Sequence, residues 1–144
     1  MTADTAAIHI EADAQTVFAY VTDPHKLNRW SFGTWETSIR SDGLVKGQSL
    51  ATGATAFLRM DMYRDRLLVD YLLGGTADVL IPRISARVIP AEVTGHASGT
   101  STLLFTALRL TDMDDYRWDS MCRLHRVELD VIKGQIESGH NPRA

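Results

Sequence analysis

"IHIEADAQTVFAYVTDPHKLNRW", residues 8–30, passes from an alternating pattern to a helical one and then breaks at a proline. The alternation begins in "AIHIE", residues 7–11, which predicts a short β-strand. Asp13 stands where the N-cap of a following helix is expected. The apolar residues beyond it have the i, i+3, i+4, i+7 spacing of an amphipathic helix: Ala14, Val17, Phe18 and Val21. The segment therefore predicts a strand followed at once by a helix.

Pro24 ends that helix, because proline lacks the backbone N–H and its ring clashes with the preceding turn. "HKLNRW", residues 25–30, predicts a second short helix, since proline is well tolerated in a first helical turn. Two tryptophans and Phe32 come next, in "WSFGTW", residues 30–35. Rings of this size expose much apolar surface in a solvated loop, so we expect them to cover another part of the protein.

Short apolar runs separated by turn signals fill the chain from residue 35 to about residue 109. The turn signals include "SDG", "ATGAT", "GGT" and "EVTGHASGT". We predict six strands between them, near residues 35–41, 46–51, 55–63, 66–73, 78–89 and 100–109. With the first strand, the chain is expected to contain seven.

Residues 111–139 contain the longest helical pattern in the chain. Thr111 and Asp114 have the spacing of a capping box, and Gly139 is a plausible C-cap. The tail, residues 140–144, is expected to be frayed. One stripe of the helix is apolar or nearly so, and it carries Trp118, Met121, Cys122, His125, Leu129, Ile132 and Ile136. The order of elements predicts an α+β fold, with one antiparallel sheet packed against the long helix.

The fourth and fifth strands can be registered against each other. A turn at residues 64–65 places Arg59 opposite Asp70, whereas a turn one residue later places Asp61 opposite Asp70. Directly opposed like charges are destabilising, so the first register is predicted. The inward face then carries Leu58, Met60, Met62, Leu67, Val69, Tyr71 and Leu73. The outward face carries Arg59, Asp61, Tyr63, Arg66 and Asp70.

The last two strands are assigned by the same alternation. In "PRISARVIP", residues 82–90, Ile84, Ala86 and Val88 are expected to point inward, with Arg83 and Arg87 outside. In "TSTLLFTALR", residues 100–109, both faces are almost equally apolar. We expect Leu104 and Thr106 inward, because Arg109 then points out together with Leu103 and Phe105.

Composition excludes several classes of protein. The 144 residues suit one domain, residues 1–144, and the net charge of −3 with scattered basic residues argues against nucleic-acid binding. A single cysteine, Cys122, cannot form an intrachain disulfide and fits a reducing compartment. No apolar run is long enough to span a membrane, and the N-terminus lacks a signal-peptide pattern. We expect a cytoplasmic protein without membrane insertion, and oligomerisation remains open.

The segment of residues 8–30, with its strand, helix, Asp-Pro and tryptophan, resembles the START-like superfamily, also called SRPBCC. The later "VIPAEVTGHASGTSTLLFTALRLTDMDDYRW", residues 88–118, and "ELDVIKGQIE", residues 128–137, are similar to uncharacterised bacterial members labelled polyketide cyclase/dehydrase-like. The resemblance implies a helix-grip fold, in which a seven-stranded antiparallel sheet curls around a long C-terminal helix. It carries no catalytic signature, so it specifies the fold far better than the chemistry.

The resemblance also implies a cavity between the long helix and the sheet, closed at one end by the two short helices. Trp30 and Phe32, with Trp35 as a further candidate, would then lie at its mouth. The alternative is that Trp30 plugs a small core with no usable cavity. Aromatic side chains serve in both ways, so both interpretations stay open.

His125 and Tyr71 are the candidates for chemistry. His125 lies in the middle of the apolar stripe, where it could bind a ligand or act as an acid or base near neutral pH. Tyr71, placed inward, needs a partner for its hydroxyl, and the pair could polarise a ligand carbonyl. For each residue a structural hydrogen bond is the favoured interpretation, because buried polar groups are usually satisfied and rarely catalytic.

Other constellations are excluded or disfavoured. Cys122 lacks an obvious activating group, although His125 is three residues away. The remaining histidines have no metal-binding spacing, and no phosphate loop or serine elbow is present, so we expect neither metal nor cofactor.

The leading hypothesis is binding of a small apolar or aromatic molecule in the cavity. Its expected contact residues are Trp30, Phe32, Leu58, Met60, Tyr71, Trp118, Met121, Cys122 and His125. A second hypothesis is a cofactor-independent cyclase, dehydratase or isomerase acting on such a molecule. A third is a protein-interaction module that docks through the charged outer face of the sheet, including Arg59, Asp61, Arg83 and Arg87.

Overall fold

Seven strands form one antiparallel sheet in the computed structural model, which describes residues 2–144, and the strand order is β1-β7-β6-β5-β4-β3-β2. The strands are β1 (Ala3–Ile10), β2 (Glu36–Ile39), β3 (Val45–Gln48), β4 (Thr55–Tyr63), β5 (Leu68–Thr76), β6 (Val79–Pro90) and β7 (Ser101–Leu108). The α-helices are α1 (Ala14–Val21), α2 (Leu27–Trp30) and α3 (Asp115–Ser138), and 3₁₀ turns span Pro24–Lys26, Phe32–Thr34 and Ala91–Thr94. The predicted α+β helix-grip architecture is confirmed.

The break between α1 and α2 forms as predicted. Asp13 caps α1 by accepting a hydrogen bond of 2.9 Å from the Thr16 backbone N–H. Asp23 caps the 3₁₀ turn in the same way, through the His25 N–H at 2.9 Å, and Pro24 occupies its first position. At the break itself, the Thr22 N–H donates to the Phe18 carbonyl and Asp23 caps the following turn, so the chain changes direction without leaving these backbone donors unpaired.

The long helix α3 begins later than the capping-box spacing predicts. Asp114 is the N-cap and accepts a hydrogen bond of 2.7 Å from Arg117 N–H, so Thr111 lies outside the helix. Gly139 ends it in the left-handed conformation, with φ 74°, as expected of a glycine C-cap.

The predicted fraying of the tail is wrong. Arg143 donates from Nε to the Asn28 carbonyl at 2.8 Å and from Nη2 to the Trp35 carbonyl. Its guanidinium lies 4.5 Å from the centre of the Trp35 ring. The tail is therefore anchored to the segment that follows α2.

The preferred register of the β4–β5 hairpin is also wrong. Asp61 lies opposite Asp70, and the connection is four residues long, residues 64–67. Leu67 adopts a positive φ of 50° and is nevertheless buried, so burial of this leucine favours the longer turn. Arg59 Nε donates to Asp61 at 3.3 Å, which offsets part of the repulsion between the two opposed carboxylates. The two registers differ by two residues, an even number, so the same side chains face inward in both. The inward face is therefore as predicted, although Met62 is 40% exposed.

The facing of β7 is the reverse of the prediction. Leu103 and Phe105 are buried, whereas Leu104 and Thr106 are only partly so. Phe105 pairs with Ala86 on one side and with Ala6 on the other, so a large ring packs between two small residues. The prediction relied on Arg109 pointing outward from the strand. Arg109 lies beyond the end of β7, and its guanidinium forms an ion pair with Asp115 at 2.7 Å, so it does not indicate which face of the strand is exposed.

Arg83 points into the molecule, contrary to the prediction, whereas Arg87 is exposed as expected. Tyr71 pairs with Ile84 but Leu73 pairs with Ile81, so β6 contains one residue more than β5 across this step. Such a β-bulge shifts the alternation by one position. The residues of β6 on the cavity side are therefore Val79, Ile81 and Arg83 before the bulge, and Ile84, Ala86 and Val88 after it, although Val79 and Ile81 stay exposed.

Candidate functional site

A cavity of about 880 Å³ lies between α3 and the concave face of the sheet. The side of α3 that faces the sheet is buried at Leu129 and Ile132, where the main core is filled. The part of α3 that lines the cavity is its N-terminal half, from Tyr116 to Glu128. A small molecule of ligand size fits such a volume.

The walls of the cavity are mainly apolar. Six of the predicted contact residues line it, namely Trp30, Phe32, Leu58, Tyr71, Met121 and His125. Further apolar residues complete the wall from β5, β6, β7 and the segment before α3: Leu73, Ile81, Ile84, Phe105, Leu110 and Met113. The helix-to-sheet packing predicted from the apolar stripe thus encloses a space as well as a core.

Met60, Trp118 and Cys122, three other predicted contact residues, do not line this cavity. Trp118 forms a second small core with Ala107 and Met113, and Cys122 packs against that cluster. Met60 packs against the main core. For Trp118 and Cys122 the reason is geometric: the apolar stripe of α3 is wide, and its flank toward β7 is filled by the second core while the other flank borders the cavity.

Trp30 is both a core residue and a cavity wall. It is 4% exposed, and its ring contacts Tyr71 edge-on at 6.4 Å and Phe105 at 5.6 Å between centroids. Its indole Nε1 is the one fully buried side-chain nitrogen or oxygen without a hydrogen-bond partner in residues 2–144. Phe32 lies nearer the surface, where Trp35 stacks on its outer side at 5.8 Å.

Tyr71 and His125 do not pair. The Tyr71 hydroxyl donates to the backbone carbonyl of Val21 at 2.6 Å, which is the structural hydrogen bond favoured from the sequence. This bond ties β5 to the end of α1, immediately before the break at Pro24. Burial raises the pKa of Tyr71, and the charge of Glu128 adds to the effect.

His125 lies in the cavity wall, and its nearest carboxyl oxygen, Glu128 Oε1, is 4.0 Å from its Nε2. It is 7% exposed, and its ring meets the edge of Phe105 at 6.0 Å. Burial lowers its pKa to about 4, and the positive charge of Arg83 acts in the same direction. The imidazole is therefore neutral at pH 7 and retains a nitrogen that can accept a proton or a hydrogen bond.

Glu128 is a site residue that the sequence analysis missed. It is buried in the cavity wall, and its Oε2 accepts a hydrogen bond of 2.9 Å from the Phe32 backbone N–H. Burial raises its pKa to about 8, so the carboxyl is mostly protonated at pH 7. Its Oε1 lies 4.0 Å from His125 Nε2, too far for a direct hydrogen bond.

The signal for Glu128 was present in the helical spacing. Met121, His125, Glu128, Ile132 and Gln135 form a continuous i, i+3, i+4 series along α3. Gln135, the other polar residue of the series, donates from Nε2 to the Arg29 carbonyl at 2.7 Å and accepts from the Tyr20 hydroxyl. Polar residues on this stripe thus attach the short helices to α3.

Arg83 is the second missed residue, and it enters the cavity through the bulge in β6. Its Nη1 lies 3.4 Å from the Met121 sulfur, a weak acceptor. Burial lowers its pKa, as does the nearby Arg117, while Asp112 opposes the shift. A guanidinium in this setting stays protonated, because its ordinary pKa is far above neutrality.

Comparison with solved structures places this architecture among known folds. The Zhui aromatase/cyclase from Streptomyces sp. R1128 superposes with a TM-score of 0.68 at 15% identity, over 99% of this chain and 97% of that one. A START superfamily protein from Mycobacterium smegmatis superposes with a TM-score of 0.61 at 11% identity, over 97% and 100%. The chain has the START-like fold.

A third match is the Aha1 dimer from Colwellia psychrerythraea, with a TM-score of 0.70 at 16% identity over 98% of this chain and 100% of that one. No protein-family model and no curated protein sequence matches the chain. At these identities the comparison establishes the fold, and the chemistry has to be argued from the cavity.

Two further findings concern the described residues of this START-like chain. Residues 2–144 contain no group of three or more His, Cys, Asp and Glu side chains arranged to hold a metal ion. None of the helices within these residues has the length and apolar character required to span a bilayer.

Proposed function

We propose that this START-like protein binds a small apolar or aromatic molecule in the cavity between α3 and the sheet. The observation that carries the proposal is the cavity itself: about 880 Å³, walled mainly by apolar and aromatic side chains with a few polar groups among them. This composition is typical of ligand sites. The unpaired Cys122 is compatible with a cytoplasmic location, which we include in the proposal.

Native mass spectrometry of the freshly purified protein tests this function. An extra mass that is lost on denaturation would identify a bound molecule directly. Isothermal titration with 2-naphthylmethanol provides a second test, since this probe is aromatic, neutral and small enough for the cavity.

A matched pair of variants localises the binding. Ala56 lines the cavity, so Ala56→Trp should fill part of it and weaken binding at least tenfold. Ala7 is exposed on β1, outside the cavity lining, and Ala7→Trp should leave affinity unchanged. Equal affinity in both variants, with both folded by circular dichroism, would place the bound probe elsewhere and contradict the proposal.

A second candidate function is proton transfer, as in a cofactor-independent cyclase, dehydratase or isomerase. The observation that favours it is the Glu128 and His125 pair, an acid that holds its proton at pH 7 beside a base that is free to accept one. In an enolisation His125 would take the proton from a carbon next to a ligand carbonyl, while Glu128 would donate its proton to the carbonyl oxygen. Such pairs of displaced pKa values mark acid and base roles.

Deuterium exchange separates this candidate from simple binding. 2-Tetralone has acidic protons beside its carbonyl, and NMR in D2O follows their replacement. If the pair acts as proposed, the protein accelerates exchange, and both His125→Gln and Glu128→Gln reduce the acceleration. Exchange at the rate of buffer alone, with 2-tetralone shown to bind, would leave binding as the function.

A further inference from the structure

The cavity contains a cation whose charge is not balanced. Arg83 is half-buried, and its Nη1 contacts the Met121 sulfur at 3.4 Å. No carboxylate of residues 2–144 lies within 4.0 Å of its nitrogens. Removing a charge from water is costly unless a counter-charge or hydrogen bonds replace the water.

Arg117 adds a second positive charge at the same end of the cavity. It lines the wall from the first turns of α3, four residues before Met121, and is close enough to lower the pKa of Arg83. Asp112 also lines this end and opposes that effect, but it lies beyond ion-pairing distance of Arg83. One carboxylate thus faces two guanidinium groups.

The other ionisable acids and bases of the wall do not change this balance. His125 and Glu128 are the remaining ones, and at pH 7 the histidine is neutral and the glutamic acid is mostly protonated. Two cations and one anion leave the lining with a net charge of +1, although the whole protein carries −3. Arg117 and Asp112 are exposed, so the half-buried Arg83 is the charge that solvent screens least, and a cavity lining of net positive charge within a negative protein favours anions over cations.

We infer that the ligand is an apolar or aromatic carboxylate, whose acid group is bound by Arg83 with Arg117 nearby while its apolar body contacts the remaining wall. The planar fork of a guanidinium matches a carboxylate and can donate two parallel hydrogen bonds to it. A single negative charge also neutralises the net charge of the lining, whereas the dianion of a phosphate monoester would exceed it. This inference rests on the ligand-binding function proposed above and names its ligand class.

Affinity for three matched probes tests the inference. The probes are 2-naphthoate, 2-naphthylmethanol and 2-naphthyl phosphate, which share one ring system and differ in the head group. At pH 7 the protein should bind the carboxylate about tenfold or more tightly than the alcohol, the preference expected of one charge-assisted hydrogen bond. The phosphate should bind no better than the carboxylate.

Variants of β6 assign the preference to Arg83. Arg83→Met keeps an apolar side chain of similar length and should abolish the preference, whereas Arg83→Lys keeps the charge and should retain part of it. Arg87→Met is the matched control, because Arg87 lies on the same strand and is exposed, and it should change neither affinity. Thermal denaturation confirms that each variant is folded.

The outcomes separate the two proposals. Equal affinity for the acid and the alcohol, or a preference that survives Arg83→Met, overturns the carboxylate inference and leaves ligand binding in place. Tighter binding of the phosphate overturns the choice of carboxylate. Absence of binding by all three probes at millimolar concentration overturns both the inference and the proposed function.

Discussion

Glu128 and His125 lie on one face of α3, and folding shifts their pKa values in opposite directions. Both shifts should make the free energy of unfolding depend on pH. The folded state holds a proton on Glu128 up to about pH 8, whereas the unfolded carboxyl loses it near its ordinary pKa of 4.5. Between these limits the folded state binds more protons, so the free energy of unfolding falls as pH rises. His125, with its pKa lowered from 6.5 to about 4, has the opposite effect below pH 6.5.

The two contributions oppose each other between pH 4.5 and 6.5, and only that of Glu128 remains from pH 6.5 to 8. We expect the free energy of unfolding to fall there by about 1 kcal/mol per pH unit, measured by urea denaturation. Glu128→Gln should remove this slope, because glutamine does not titrate. Asp130→Asn, an exposed site on the same helix, should preserve it. A slope that persists in Glu128→Gln would show that another group carries the titration.

The Tyr71 hydroxyl gives a second prediction at the level of one residue. Tyr71→Phe leaves the Val21 carbonyl without its donor, in a buried position, and should reduce the free energy of unfolding by about 1–2 kcal/mol. Tyr63→Phe, on the neighbouring strand and 45% exposed, is the control and should change stability by less than about 0.5 kcal/mol. Equal effects of the two substitutions would mean that the Tyr71 bond contributes nothing specific.

Residue placement could be predicted wherever one sequence pattern determined it. Helical or alternating spacing placed His125, Met121 and Leu58 on inward faces, and the family resemblance added the expectation of a cavity for them to line. Glu128 was overlooked because a glutamate in a helix is most often on its solvated side, and only its place in the i, i+3, i+4 series indicated burial. Arg83 could not be placed, since its orientation depends on a bulge that forms between two strands.

The packing of β3 against the 3₁₀ turn Phe32–Thr34 supplies a prediction at the level of elements. Gly47 faces Thr34 so closely that an added Cβ would lie 2.9 Å from the Thr34 Cα and 2.7 Å from its Cγ2. Gly47→Ala should therefore displace the turn and reduce the free energy of unfolding by about 1–3 kcal/mol in urea denaturation. Gly33→Ala is the matched control, because no atom lies within 4 Å of its Cβ position. Equal stability of the two variants would contradict the close packing.

Elements were predictable where their signals are local, and pairings were not. The caps at Asp13 and Gly139 and the break at Pro24 depend on neighbouring residues, and all three are confirmed. The facing of β7 depends on what lies across from it, namely Ala86 and Ala6 opposite Phe105. Those partners come from distant parts of the chain, so a pattern within the strand itself could not decide between its two faces.

At the level of the whole molecule, ligand binding and folding are linked. A molecule that binds only the folded state stabilises it by about 2.7 kcal/mol at a concentration one hundred times its dissociation constant. For a domain of this size we expect 2-naphthoate at that concentration to raise the melting temperature by about 6–10 °C, in differential scanning calorimetry. Ala56→Trp, with the cavity partly filled, should show a much smaller rise at the same concentration of ligand. An equal rise in that variant would show that the ligand stabilises another site.

The bulge in β6 has a consequence for how such proteins diverge. Deleting Pro82 would restore regular alternation between Ile81 and Ile84, turn the Arg83 guanidinium toward the solvent and leave the strand order unchanged. A single-codon deletion would thus remove a cation from the cavity wall without changing the fold. In a homologue, a one-residue gap in this strand should therefore have the same effect on ligand preference as the exchange Arg83→Met.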